Sequence, residues 1–207
     1  MKLNKWAGAA ALGLAVVGAP AEASVVIDVS EVGGNVVATG GGTVDLAGLT
    51  PFGTAPGTAF MNPWFGNVDI GGISGTYLEI TEYNGVTGPT SFGADLATFA
   101  SSASGDLFGV NGSGPNGTGV DVPFNYVSGS ALSGSATFDG QTFASLGLTP
   151  GTYVYTWGSG PTADSLTLQI GPAAIPEPGT WAMIMLGFAA LGLAGFRAAT
   201  KSTARAA

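Results

Sequence analysis

From Val25 onward, apolar and polar positions alternate along the chain. Val25, Ile27 and Val29 fall on one side of an extended segment, and Val26, Asp28 and Ser30 on the other. Gly33-Gly34 separates this run from a second β-branched run starting near Asn35, which predicts a two-residue hairpin. Within that second strand, Gly40 to Gly42 predict a bulge or a bend. The stretch TYLEITEYNGV predicts another strand, closed by the turn dipeptide Asn84-Gly85. ATFDGQTF predicts a hairpin turning at Asp139-Gly140, of type I′ because that turn requires positive φ. TYVYTW puts Tyr153, Tyr155 and Trp157 on one face. DSLTLQI sets Leu166, Leu168 and Ile170 against Ser165, Thr167 and Gln169. Residues 50–66 read as a long aromatic loop, Ala94 to Ala100 as a short helix, and residues 111–119 as a mobile loop. No internal repeat of useful period emerges. Short alternating strands separated by turns predict an all-β fold with an antiparallel β-sandwich-like body.

At both ends the alternation gives way to unbroken apolar runs. Lys2 and Lys5 precede an apolar stretch from Trp6 to Val17, followed by Pro20 and the small-residue pair Ala21 and Ala23. A positive start, a short apolar run and an Ala-x-Ala site predict a secretory signal peptide over residues 1–23, with Ser24 as the first mature residue. At the other end, Trp181 to Phe196 is sixteen residues without a polar face. As a helix it spans about 24 Å, short of a hydrocarbon core of roughly 30 Å. Pro176 and Pro178 fix an extended lead-in, and Trp181 suits an interface. Arg197, Lys201 and Arg205 follow directly. Basic residues favour the cytoplasmic side, and Arg197 can snorkel to cover the missing length. Both ends therefore predict one topology: the body is exported and the C-terminal, transmembrane-like helix is held briefly or permanently in the inner membrane. The expected division is signal peptide over 1–23, all-β body over 24–172 and a C-terminal segment over 173–207.

Charge sharpens this picture. All five basic residues (Lys2, Lys5, Arg197, Lys201 and Arg205) lie outside residues 24–175. Between those limits stand eight Asp and three Glu, a net charge of 0 − 11 = −11, with no Lys, Arg, His or Cys. Such a body has no cationic footprint for phosphates, which argues against nucleic-acid binding. It forms neither disulfides nor thiolate metal sites. The 29 glycines and 9 prolines among the 152 residues 24–175 reach 25%, the edge of a low-complexity composition. Nine Phe, five Tyr and two Trp between residues 24 and 175 nevertheless supply material for a core.

The C-terminal residues Pro176, Glu177, Pro178, Thr180, Trp181, Ala182 and Met183, with the apolar run to Phe196 and the basic tail, resemble the PEP-CTERM sorting signal of exported Gram-negative bacterial proteins. Two departures are Met-Ile-Met where Met-Met is frequent, and basic residues spread over nine positions (197 to 205). The resemblance implies processing near Pro176 to Pro178 by an exosortase, a membrane transpeptidase-like cysteine enzyme for which this motif is the substrate. It also implies signal peptidase and the secretion machinery as partners, transient residence in the inner membrane, and delivery to the cell surface or extracellular matrix. By family association it implies exopolysaccharide and biofilm formation. Residues 148–171 are also similar to segments just upstream of this signal in related proteins.

The body offers little catalytic chemistry. With no His or Cys in the chain, Ser-His-Asp and Cys-His sites are excluded. A paired-carboxylate mechanism survives on residue types, with Glu79, Glu82 and Asp69 as candidates. On one strand, however, Glu79 and Glu82 face opposite sides. Asp106 and Asp121 flank a loop with Asn111 and Asn116, a possible calcium cluster. Gly41 to Leu49 resembles half of a calcium-binding nonapeptide but lacks its third glycine and any tandem copy. Trp64 and Trp157 are of the type that stacks on sugars. The commoner roles of these residues are solvated strand faces and core packing. The expectation is therefore a non-enzymatic exported protein with no catalytic residue, no metal and no cofactor. The alternatives are a carbohydrate-binding or calcium-dependent adhesin, and a permanently membrane-anchored periplasmic protein.

Overall fold

The computed structural model describes residues 24–114 and 117–171. The predicted signal peptide and the whole C-terminal segment lie outside the described residues. Among the described residues, thirteen strands form two sheets. The first, of six strands, contains β1 (Ser24–Val32), β2 (Asn35–Thr43), β8 (Ser102–Gly105), β11 (Ala131–Phe138), β12 (Gly151–Trp157) and β13 (Asp164–Ile170) in the order β12-β13-β1-β2-β11-β8. The second, of seven, contains β3 (Thr50–Gly57), β4 (Phe60–Asn62), β5 (Asn67–Ile70), β6 (Leu78–Asn84), β7 (Thr98–Phe99), β9 (Phe108–Gly114) and β10 (Gly117–Pro123) in the order β3-β6-β10-β9-β5-β4-β7. Residues of both sheets share one apolar core, in which Ile27, Phe138 and Leu168 of the first meet Ile70, Phe108 and Val120 of the second. Among the described residues the fold is all-β, as the alternation predicts, and its two sheets pack as a sandwich. No helix among them is long and apolar enough to cross a membrane.

The β1–β2 hairpin turns through Gly33 (φ 60°) and Gly34 (φ 83°), positive at both centres as a I′ turn requires. Beyond it the predicted bulge is absent, because β2 pairs with β1 in unbroken register from Val32 opposite Asn35 to Val25 opposite Gly42. The glycines serve sheet-to-sheet packing instead. A Cβ on Gly40 would stand 2.7 Å from the Val26 carbonyl oxygen and 2.9 Å from Cδ1 of Ile70. A Cβ on Gly134, opposite Gly40 on β11, would stand 3.1 Å from the Phe108 ring. These two positions leave the hollow that Ile70 and Phe108 fill.

Four further expectations give way to the structure. Residues 50–66 form β3 and β4 followed by a 3₁₀ turn over Pro63–Phe65, not a loop. Pro51 and Pro56 are tolerated because β3 is an edge strand. No helix forms at Ala94 to Ala100. Ala94 N–H donates to Gly147 and the Asp95 carbonyl accepts from Trp64, so backbone groups pair across the chain rather than along a helix. Residues 111–119 belong largely to β9 and β10, whose hairpin is flanked by β5 and β6. After β11, the turn at Asp139-Gly140 has positive φ only at Gly140, and no strand follows it directly. β11 already has β2 and β8 on its two edges, and the chain continues through turns that bury Leu146 and Leu148.

Among the described residues, all strand pairs are antiparallel except β1 and β13, which run parallel from Ser24 opposite Ser165 to Val29 opposite Ile170. The body's first strand therefore starts at one end of the sheet and its last strand finishes at the other. Gly171 leaves beside Val29, its N–H bonded to the Val29 carbonyl at 3.0 Å. At about 3.3 Å per residue this sets Ser24 and Gly171 roughly 17–20 Å apart along the strands.

Candidate functional site: a carboxylate row on the seven-stranded sheet

The strongest concentration of chemistry lies on the face of the seven-stranded sheet turned away from the core. Paired residues run across it as Gly53, Glu82, Asp121, Gly109, Asp69, Phe60 and Phe99. Their strand neighbours Met61, Val68, Ile70, Val110, Val120 and Val122 point into the core, so by alternation the row points outward. Outward direction does not mean exposure here. Asp69 is 4 % and Asp121 is 6 % exposed. Gly109 separates them and carries no side chain. A Cβ there would collide with the Val68 carbonyl oxygen and with Oδ1 of Asp69. The Asp69 carboxylate thus leans over Gly109 toward Asp121.

Two buried oxygens beside this row, Oδ1 of Asp69 and Oδ1 of Asn111, accept no hydrogen bond. Asn111 is two residues from Gly109 on the same face of β9, opposite Gly119. Burial, then the neighbouring Asp121 and Glu82 carboxylates, push the Asp69 carboxyl well above its usual range. Burial, then Glu82, raise Asp121 to about 7. Without Lys, Arg or His in residues 24–171, no basic side chain of the body offsets these charges. A buried carboxylate in that position is neutralised by a proton or by an external cation.

The structure sorts the other candidates. Glu79 and Glu82 occupy opposite faces of β6, and Glu82 shares its face with Asp69, three strand spacings away. Asp106 is not part of a cluster with Asp121. It sits beyond β8, where Oδ2 accepts from Ser133 N–H at 3.0 Å. Asn116 lies outside the described residues, whereas Asn111 does neighbour Asp121. Gly41 to Leu49 ends β2 and enters a loop that is pinned structurally. Asp45 N–H donates to Oδ2 of Asp164 at 2.6 Å, and Asp45 Oδ1 accepts from Ser128 at 3.0 Å. Burial raises Asp164, while the hydrogen bonds from Asp45 and Ser165 pull it back down. Trp157 is core, its Nε1 donating to the Asp45 carbonyl at 2.8 Å. Trp64 is 57 % exposed, and the Phe60 and Phe99 rings meet at 6.1 Å at the end of the row.

In the sequence Asp69 and Asp121 fall in separate candidate roles, and nothing along the chain joins them. The available sign was local: each aspartate stands between two buried β-branched residues, Val68 and Ile70 or Val120 and Val122. Nothing along the chain says that β9 lies between those strands.

Ser24 opens β1. Ala21, Ala23, Pro176, Glu177, Pro178, Thr180, Trp181, Ala182, Met183, Phe196, Arg197, Lys201 and Arg205 lie outside the described residues. Comparison with known families gives a match over residues 174–198 to the PEP-CTERM protein-sorting motif. This is the signal that Pro176 to Met183 resemble. It implies an exported protein sorted through the membrane, with an exosortase as its processing partner. No curated protein and no solved structure matches the chain.

Proposed function

We propose that the chain is a non-enzymatic protein of the cell surface or extracellular matrix, associated there with exopolysaccharide and biofilm. In this reading signal peptidase releases the chain at Ser24 after secretion, and the C-terminal helix holds it in the inner membrane until exosortase cuts near Pro176 to Pro178. The observation that carries the reading is the sorting motif at residues 174–198. Its placement supports it further: β13 ends at Ile170, so only residues 171–173 separate the last strand from the motif. The apolar run of 181–196 then acts as a removable address, and the basic residues Arg197, Lys201 and Arg205 as a cytoplasmic stop.

The test is the intact mass of the protein recovered from the surface and medium of its native host. The expected species starts at Ser24 and ends near the Pro-Glu-Pro, and any added sugar mass identifies the attachment. A species still ending at Ala207 would make the helix a lasting anchor and would sink the sorting reading.

A further inference from the structure

We propose that Asp69 and Asp121, with the side-chain oxygen of Asn111, hold a hard divalent cation of the calcium class above Gly109. Three independent features of the fold converge on this position. The two aspartates flank it from β5 and β10, strands two spacings apart and separated by the side-chain-free Gly109, over which the Asp69 carboxylate leans. At about 4.8 Å per spacing the Cα atoms stand roughly 10 Å apart. With the Asp69 carboxylate leaning across the glycine, the distance left to Asp121 is one that two metal–oxygen bonds of about 2.3–2.6 Å span. The second feature is the unpartnered Oδ1 of Asp69, a residue 4 % exposed, lying over Gly109 with no donor to meet it. The unpartnered Oδ1 of Asn111 adds a neutral oxygen on the same face. The third is the absence of any basic side chain in residues 24–171, which leaves an external cation as the available positive charge.

The donor set selects the class of ion. All candidate ligands are oxygen, with no imidazole or thiolate, which disfavours zinc and copper. No group of three carboxylates among the described residues is placed to hold a metal. The ion is therefore held by two carboxylates and completed by amide oxygen and water. Calcium accepts that irregular mixture, whereas magnesium demands a near-ideal octahedron. Glu82, opposite Asp121 on β6, adds negative charge beside the site. The affinity expected for such a sparse set is that of extracellular calcium modules, roughly 10⁻⁴–10⁻³ M.

The experiment uses the full-length chain in detergent, stripped with EDTA at neutral pH and titrated with calcium chloride by calorimetry and thermal unfolding. One ion per chain is expected, with a midpoint rise of roughly 3–10 °C at about ten to a hundred times the dissociation constant. Magnesium is expected to give a smaller rise. Asp69→Asn and Asp121→Asn should abolish the response while removing a buried charge, which favours retention of the fold. Asp106→Asn, in the connection between β8 and β9 and bonded to Ser133, should leave it intact. No heat and no midpoint shift in the unmodified chain would overturn the proposal and leave a proton as the neutralising species. A response that persists in both aspartate variants would overturn it as well. Neither result depends on sorting, since a chain that is never processed carries the same site.

Discussion

Replacing Asp121 with Asn keeps the side chain's shape and removes one ionisable group from beneath the outer face of the seven-stranded sheet. In the native state burial and Glu82 hold this carboxyl at about 7, against 3.8 for the free group. Between those values the folded chain carries a proton that the unfolded chain has lost. The proton difference, unfolded minus folded, is therefore about −1, and stability falls as pH rises. The stabilisation is complete below 3.8 and is gone once pH has passed through about 7. At 1.36 kcal/mol per unit, the interval of 7 − 3.8 corresponds to about 4 kcal/mol. Asp121→Asn cannot titrate there. In a chelating buffer that keeps the site metal-free, its stability relative to the unmodified protein should rise by about 4 kcal/mol between pH 4 and pH 8. Urea denaturation of both proteins across that range measures the difference directly. Asp69 faces the same position from β5 and Glu82 from β6, and the raised Asp69 carboxyl also titrates in the unmodified protein's own profile. The difference between the two proteins isolates Asp121 and its coupling to those neighbours. Parallel profiles would refute the argument, because they would mean that Asp121 ionises in the fold as easily as in water.

Two further outcomes test the ends of the argument. Replacing Pro176, Glu177 and Pro178 together with alanine should block C-terminal processing in the native host, so that the full-length precursor accumulates in the membrane fraction; normal release of that variant would count against exosortase recognition there. Gly40→Ala places a methyl group 2.7 Å from the Val26 carbonyl and 2.9 Å from Ile70. It should cost about 1–3 kcal/mol, read as a thermal midpoint lowered by roughly 2–10 °C, and an unchanged midpoint would refute the packing role given to this glycine.

Much of the strand pattern was legible because alternation is local. Val25, Ile27 and Val29, or Leu166, Leu168 and Ile170, declare their buried face from neighbouring letters alone, and Gly33-Gly34 declares its turn because few residues accept positive φ. The misread segments are those where a local rule was outvoted by a neighbour. Residues 50–57 look like a loop because of two prolines and two glycines, yet an edge strand tolerates them. Ala94 to Ala100 has helical letters, but the backbone around it is bonded to Gly147 and Trp64. Gly40 reads as a break in its own strand because the demand for its missing side chain comes from Ile70, thirty positions away in the other sheet.

The sequence by itself determined that this is a β-rich, acidic body bounded by two apolar segments, with the sorting motif at one end and neither His nor Cys in the chain. Those conclusions rest on composition, local periodicity and a contiguous motif, none of which needs a contact map. Only the tertiary structure decided that Asp69 and Asp121 flank Gly109 on one face of the sheet. The distance between strands in a sheet is set by pairing order, and pairing order is written in packing rather than in the spacing of letters. Strand alternation places each aspartate on the outward face. It takes the neighbouring strands to bury both without a cationic partner and to turn two ordinary acidic positions into a place where a cation belongs.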